Sequence, residues 1–191
     1  MPVQIGGTIH SFREPTGLLS DCHRRVEKFL GMLQAVATGI DQPATEETKC
    51  ALQLALHYFT EAAPKHTADE EESLFPRLRQ LHDPEVESAL SRLDQLEGDH
   101  RWAGPLHTAV EQLGEKYLSE GRLSEPEIGR FRTSVANLIA MYQRHIRIED
   151  EQIFPLAARV LSRDEKEAVA KEMAARRGIR SGEAWHGRGG S

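Results

Sequence analysis

The chain is poor in cysteine: Cys22 and Cys50 are the two in 191 residues, and they stand in neither CxxC nor zinc-ribbon spacing. That excludes a thiolate metal site, leaves at most one disulfide, and fits a reducing compartment, read here as the cytoplasm. No apolar run is long enough to span a bilayer, and "MPVQIGGTIHSFREPTG" lacks the basic start and apolar stretch of a signal peptide. Basic charge is also short. There are 24 Lys+Arg against 30 Asp+Glu, a net charge of -6, with no long basic run, which argues against nucleic acid or an anionic membrane as the main partner. Strand-like alternation is absent, and the sequence offers no fused signalling or DNA-binding domain.

What is present is a helical period. Apolar residues recur at three and four, as in Leu18, Leu19, Val26, Phe29, Leu30 and Leu33. A first helix is expected over about 16–38, ending at Gly39. A second is expected over about 45–81, capped by Thr45, with a kink or a brief break at Pro64. Asp83 and Pro84 open a third to about Ser119, bent near Gly104 and Pro105. Ser124 and Glu127 box the start of a fourth that reaches about Leu161. Ser162 and Glu165 repeat the box for a short fifth, ending near Arg177. The length suits one domain over 1–177, and the Gly-, Arg- and Ser-rich 178–191 reads as a disordered tail. The expected fold is all-α, an up-down-up-down four-helix bundle with a short extra C-terminal helix.

Two segments carry the chemistry. "HTADEEESLFP" from His66 and "HIRIEDEQIFP" from His145 place His, Glu, an apolar residue, Phe and Pro at the same offsets. Each has a lone histidine upstream, in "DCHRR" (His23) and "GDHRW" (His100), so two helical hairpins repeat. A step of four rotates only ~40° past a full turn, so His66 and Glu70 share a face, as do His145 and Glu149. Phe59, Ala62 and Leu74 lie on the first of these stripes, and Leu138, Met141 and Ile153 on the second, all core residues by type. A histidine or glutamate buried there without a partner costs several kcal/mol, roughly, per group. A core histidine satisfied by hydrogen bonds is the ordinary explanation for one such residue. Two matched HxxxE units favour metal instead. Four imidazoles and two carboxylates suit a pair of iron, manganese or zinc ions, with the carboxylates bridging and positions left open.

These four segments resemble the hemerythrin-like, or His-His-Glu cation-binding, domains of the bacterial non-haem di-iron type, over roughly residues 16–161. The resemblance implies His23, His66, Glu70, His100, His145 and Glu149 as ligands of two iron ions, with Glu70 and Glu149 bridging and room for an oxo bridge. It departs at Gly104, where the oxygen-carrying hemerythrins place a further histidine. His107 stands two turns beyond His100, ~10 Å along the helix, too far to replace it. The resemblance therefore points less to reversible oxygen storage than to relatives implicated in iron-centre repair, nitric oxide or peroxide chemistry, or oxygen sensing. Three functions follow as expectations: a module that binds or senses O2, NO or peroxide; a stress-defence enzyme or iron donor, served by a redox partner or an iron-sulfur protein; and a bundle whose metal, such as zinc, is purely structural.

Other residues read more plainly. Glu71, Glu72, Asp150 and Glu151 are expected as solvated neighbours, Glu97 as exposed, and Glu27, which makes a third HxxxE with His23, as a salt-bridge partner or exposed residue with a bridging role as the alternative. Cys22, Trp102, Phe75 and Phe154 are expected in the core. His10, His57, His82 and His186 are read as non-ligands. Tyr142, one turn before His145, is placed either to pack or to reach a ligand bound at the centre.

Overall fold

Prolines and side-chain caps set the helix starts in the computed structural model, which describes residues 10–179. Helix α1 runs Pro15–Gly39, with proline in its first turn. Thr45 caps α2 (Glu46–Glu61) by accepting the Thr48 N–H. Pro64 falls in the first turn of α3 (Ala63–Ala68), so the break expected there is present. It also shifts the stripe by one residue: Ala63 is buried and Ala62 exposed, the reverse of the uninterrupted helical reading.

Both HxxxE segments then depart from an α-helix. A π-helical turn occupies Asp69–Leu74 ahead of α4 (Phe75–Gln80), and a second occupies Glu149–Ile153 ahead of α7 (Phe154–Val160). Pro76 and Pro155 have no N–H to continue the i to i-4 ladder. The Phe75 N–H instead reaches the Glu70 carbonyl, and the Phe154 N–H the Glu149 carbonyl, each five residues back. The repeated Phe-Pro is therefore a device that widens the helix at the glutamate, as π turns at functional sites commonly do.

Asp83 caps α5 (Pro84–Glu120), which continues through Gly104 and Pro105 and ends at Gly121, with φ of 74°. Only glycine adopts that left-handed conformation at little cost. The capping boxes at Ser124 and Ser162 open α6 (Glu125–Ile148) and α8 (Arg163–Arg176) as expected. The described residues contain no strand. Each long helical segment packs on its chain neighbours, and α1 also packs on α6, which closes the four into a bundle. No described helix is long and apolar enough to cross a membrane.

The core comes in two apolar clusters. One holds Val26, Leu30, Ala63, Ala103, Leu138 and Met141. The other holds Leu19, Leu74, Phe75, Leu96, Ile153 and Phe154. On every contributing segment the chain passes from one cluster to the other across a polar residue: His23 between Leu19 and Val26, His66 and Glu70 between Ala63 and Leu74, His100 between Leu96 and Ala103, and His145 and Glu149 between Met141 and Ile153. A polar layer thus divides the bundle.

Phe75, Phe154 and Cys22 are buried as expected. Trp102 is not; it is 51% exposed. Two residues beyond the inward His100 it is turned by about 200° and faces outward. Cys22 is buried, Cys50 exposed, and both thiols are free. The expected tail, including His186, lies outside the described residues from 180 onward.

Candidate metal centre

All six expected side chains meet in the polar layer. Ligand-type atoms of His23, His66, Glu70 and Glu149 form one group, and those of Glu70, His100, His145 and Glu149 a second, each with its atoms within 4.8 Å of one another. Both groups contain both glutamates. Glu70 Oε1 lies 3.1 Å from His66 Nε2 and 3.8 Å from His23 Nε2, while its Oε2 lies 3.6 Å from His100 Nε2. Glu149 Oε2 lies 3.2 Å from His145 Nε2 and 3.1 Å from His23 Nε2. Both carboxylates are fully buried.

The donor set fits a cation pair. All four carboxylate oxygens, together with His23 Nε2, are buried and lack a hydrogen-bond partner. A carboxylate withdrawn from water in this way is costly unless an opposite charge sits beside it. The enclosed space between the histidines is about 10 Å³, room for little more than a water-sized group.

Burial and mutual charge set the proton affinities of these six groups. Burial disfavours a charged His145, but Glu149 and Asp99 overcome it and hold its pKa near 10. Burial likewise opposes a charged His23, and Asp150, Glu149 and Glu70 together raise its pKa well above the usual value. His66 is pushed well down, by burial and then by His23, and His100 is lowered by burial and by His145. Burial and repulsion from Glu149 lift Glu70 to about 8. Glu149 is held below the usual carboxylate range because His145 and His23 outweigh its burial. Of the two carboxyls Glu70 therefore takes up a proton the more readily, which avoids two adjacent negative charges.

A ring of acids orients the imidazoles from behind. Asp150, the residue after Glu149, accepts from His23 Nδ1 at 2.9 Å, and is itself held by Ser20 at 2.8 Å and Arg24 at 2.7 Å. Glu71, the residue after Glu70, accepts from His100 Nδ1 at 2.7 Å. The acid beside each glutamate therefore crosses to the lone histidine of the other hairpin. Such contacts fix tautomer and ring direction. Expecting Glu71 and Asp150 as merely solvated was wrong, although the repeated acid directly after each glutamate was a visible sign. Asp99 was also missed. Its Oδ2 faces His145 Nδ1 at 3.6 Å, a charge contact longer than a hydrogen bond, while Arg144 holds its other oxygen at 2.7 Å.

The remaining residues sort clearly. Glu27 pairs with Arg24 on the surface, as expected, and Glu72 pairs with Arg176. Glu97 is half-buried and paired with Arg79 at 2.9 Å, not simply exposed. His57 and His82 are exposed, and His10 contacts Asp21. His107 bonds to the Tyr142 hydroxyl through Nε2, at 3.0 Å.

Residues 14–157 match the family described as Hemerythrin HHE cation binding domain. The chain is also 30% identical over 173 residues to an uncharacterised protein of Haemophilus influenzae, covering 89% of this chain and 94% of that one. The layer of histidines and shared glutamates lies within the matched span, and the chain belongs to the hemerythrin HHE cation-binding family.

Proposed function

We propose that the protein is a non-haem di-iron protein that binds or reacts with a small ligand such as dioxygen, nitric oxide or hydrogen peroxide, in sensing, iron handling or defence against oxidative and nitrosative stress. One observation carries this reading: two four-residue donor groups share both of their carboxylates. Sharing brings two cations side by side, and two adjacent redox-active ions can act jointly on one small molecule. In this assignment His23 and His66 would hold one ion and His100 and His145 the other, with Glu70 and Glu149 available to both.

Iron held by these residues would offer an open coordination position and electrons to a small ligand. The chain's own contribution is positional and electrostatic. Asp150 and Glu71 hold His23 and His100 with Nε2 turned inward. The apolar clusters on either side of the layer keep bulk water away, and the small enclosed space limits what can approach.

The test is elemental analysis of protein loaded with iron without air, with absorption spectra before and after air exposure. Two irons per chain and a new charge-transfer band on exposure are the expected result. One tightly held zinc per group and no band with any metal would instead mark the centre as structural. Consumption of peroxide or nitric oxide over many turnovers, or delivery of iron to a damaged iron-sulfur protein, would show the enzyme or donor form of the same reading.

A further inference from the structure

Two surface clefts approach the enclosed space at the metal layer, from opposite sides of Tyr142. One, of about 290 Å³, lies between the α2–α3 segment and α5, lined by Phe59, Ala63, Thr67, Gly104 and His107, and ends on His100 and Tyr142. The other, of about 260 Å³, lies between α1 and α6, lined by Glu27, Gly31, Gln34 and Gln143, and ends on Tyr142 and Ile146. The space at the centre is itself lined by Ala63, Thr67, His100, Tyr142 and Ile146. The first cleft therefore shares with it a side chain of the metal layer, and the second does not.

We infer that the Gly104 cleft is the route by which a small uncharged ligand reaches the centre on the His100 side, with Tyr142, tied to His107, forming its inner wall and setting what passes. This rests on the functional reading above. Three features of the cleft support it. Gly104 is open, since a Cβ placed there meets nothing within 4 Å; an absent side chain is what leaves the passage clear. The lining named above carries no carboxylate or ammonium group, whereas Glu27 stands at the other cleft. Burial also brings the His107 pKa down to about 4, so at neutral pH its ring is uncharged and able to accept from the phenol O–H. A neutral passage imposes little desolvation penalty on an uncharged diatomic and disfavours an anion. The Tyr142–His107 bond fixes the ring that closes the inner end.

Paired glycine substitutions test the route, because Gly31 in the second cleft is equally open. Leucine is a better helix former than glycine, so neither change threatens its helix. Iron(II)-loaded protein is mixed with nitric oxide without air and the spectral change followed by stopped flow. Gly104→Leu is expected to slow binding by roughly tenfold or more, with iron content and final spectrum unchanged, while Gly31→Leu leaves the rate as it was. Tyr142→Phe, which removes the tie to His107, is expected to speed binding a few-fold. Slowing by Gly31→Leu alone, or by neither variant, overturns the route.

A second readout needs no iron. In metal-free protein under dissolved oxygen, the methyl groups of Ala63 and Ala103 on the cleft should relax faster than those of the core residues Ala55 and Ala170, and Gly104→Leu should remove the excess. If iron-loaded wild type binds no nitric oxide, the functional reading fails, and the methyl result alone decides the route: an excess removed by Gly104→Leu upholds it, and its absence overturns it.

Discussion

The half-site on His23 and His66 and the half-site on His100 and His145 use the same two carboxylates but are supported differently. Around the first, His23 stacks on Phe154 with ring centroids 5.2 Å apart, and Asp150 behind it is fixed by Ser20 and Arg24. The nearby π turn is gripped by the end of α8: Arg176 and Arg177 bind the buried Asp69 at 2.9 and 2.6 Å, and Arg176 also reaches Ser73 at 2.9 Å. Around the second, His100 borders a surface cleft, and Glu71 alone holds its Nδ1. A repeated sequence thus yields one buttressed position and one beside a surface cleft. The lesson is that a duplicated motif specifies donors, while unrepeated elements decide what each copy does.

The sharing of carboxylates is the feature whose loss would have the largest effect. Glu70→Ala and Glu149→Ala should each deplete both of the proposed ions, as counted by elemental analysis after loading and desalting. A variant that lost one ion and kept the other fully would show that each glutamate serves a single half-site.

The clamp on the first π turn comes next. Replacing Arg176 and Arg177 together by alanine leaves the Asp69 carboxylate buried without a counter-charge, which typically costs about 3–5 kcal/mol. Urea denaturation of metal-free protein measures it. Hydrogen exchange should show the loosening concentrated at 69–74 and not at 149–153, and uniform loosening would erase the contrast between the two turns.

The orienting acids should separate the half-sites more gently. Asp150→Ala is expected to weaken the ion at His23, and Glu71→Ala the ion at His100, each by roughly 10–100-fold. Calorimetric metal titration would resolve the two steps. Equal weakening of both ions by either variant would mean the half-sites are not independent.

A further contrast concerns pH. His107 has Leu30 as its counterpart in the first hairpin, so only the second half carries this imidazole. Burial lowers its folded pKa to about 4, below the usual value of about 6.5. Between these values the unfolded chain binds the proton and the folded chain does not. Stability from this group therefore rises with pH from about 4 to about 6.5, and is flat above. His107→Gln should remove that part of the slope in urea titrations of metal-free protein.

Helix starts were legible because caps and prolines act locally: Thr45, Asp83, Ser124 and Ser162 cap where their sequence context says they should. The six converging side chains were legible for a related reason, since a polar residue on an apolar stripe must find a partner. The π turns were harder to see, although Pro76 and Pro155 announce a lost backbone bond. A missing donor does not say whether the chain will kink, break or widen. Ala62 and Trp102 were misplaced because an inward face was extended past a point where the helix register or direction turned it away.

The sequence by itself determined the all-α class, the two hairpins and the identity of the inward histidines and glutamates, because helical period and the cost of burying charge operate over a few residues. Only the tertiary structure decided that Asp150 and Glu71 cross to the opposite hairpin, that α8 grips one π turn, and that Gly104 lines a surface cleft together with His100. Those contacts join segments as much as about 130 residues apart, and their geometry depends on how whole helices pack, which no local pattern encodes.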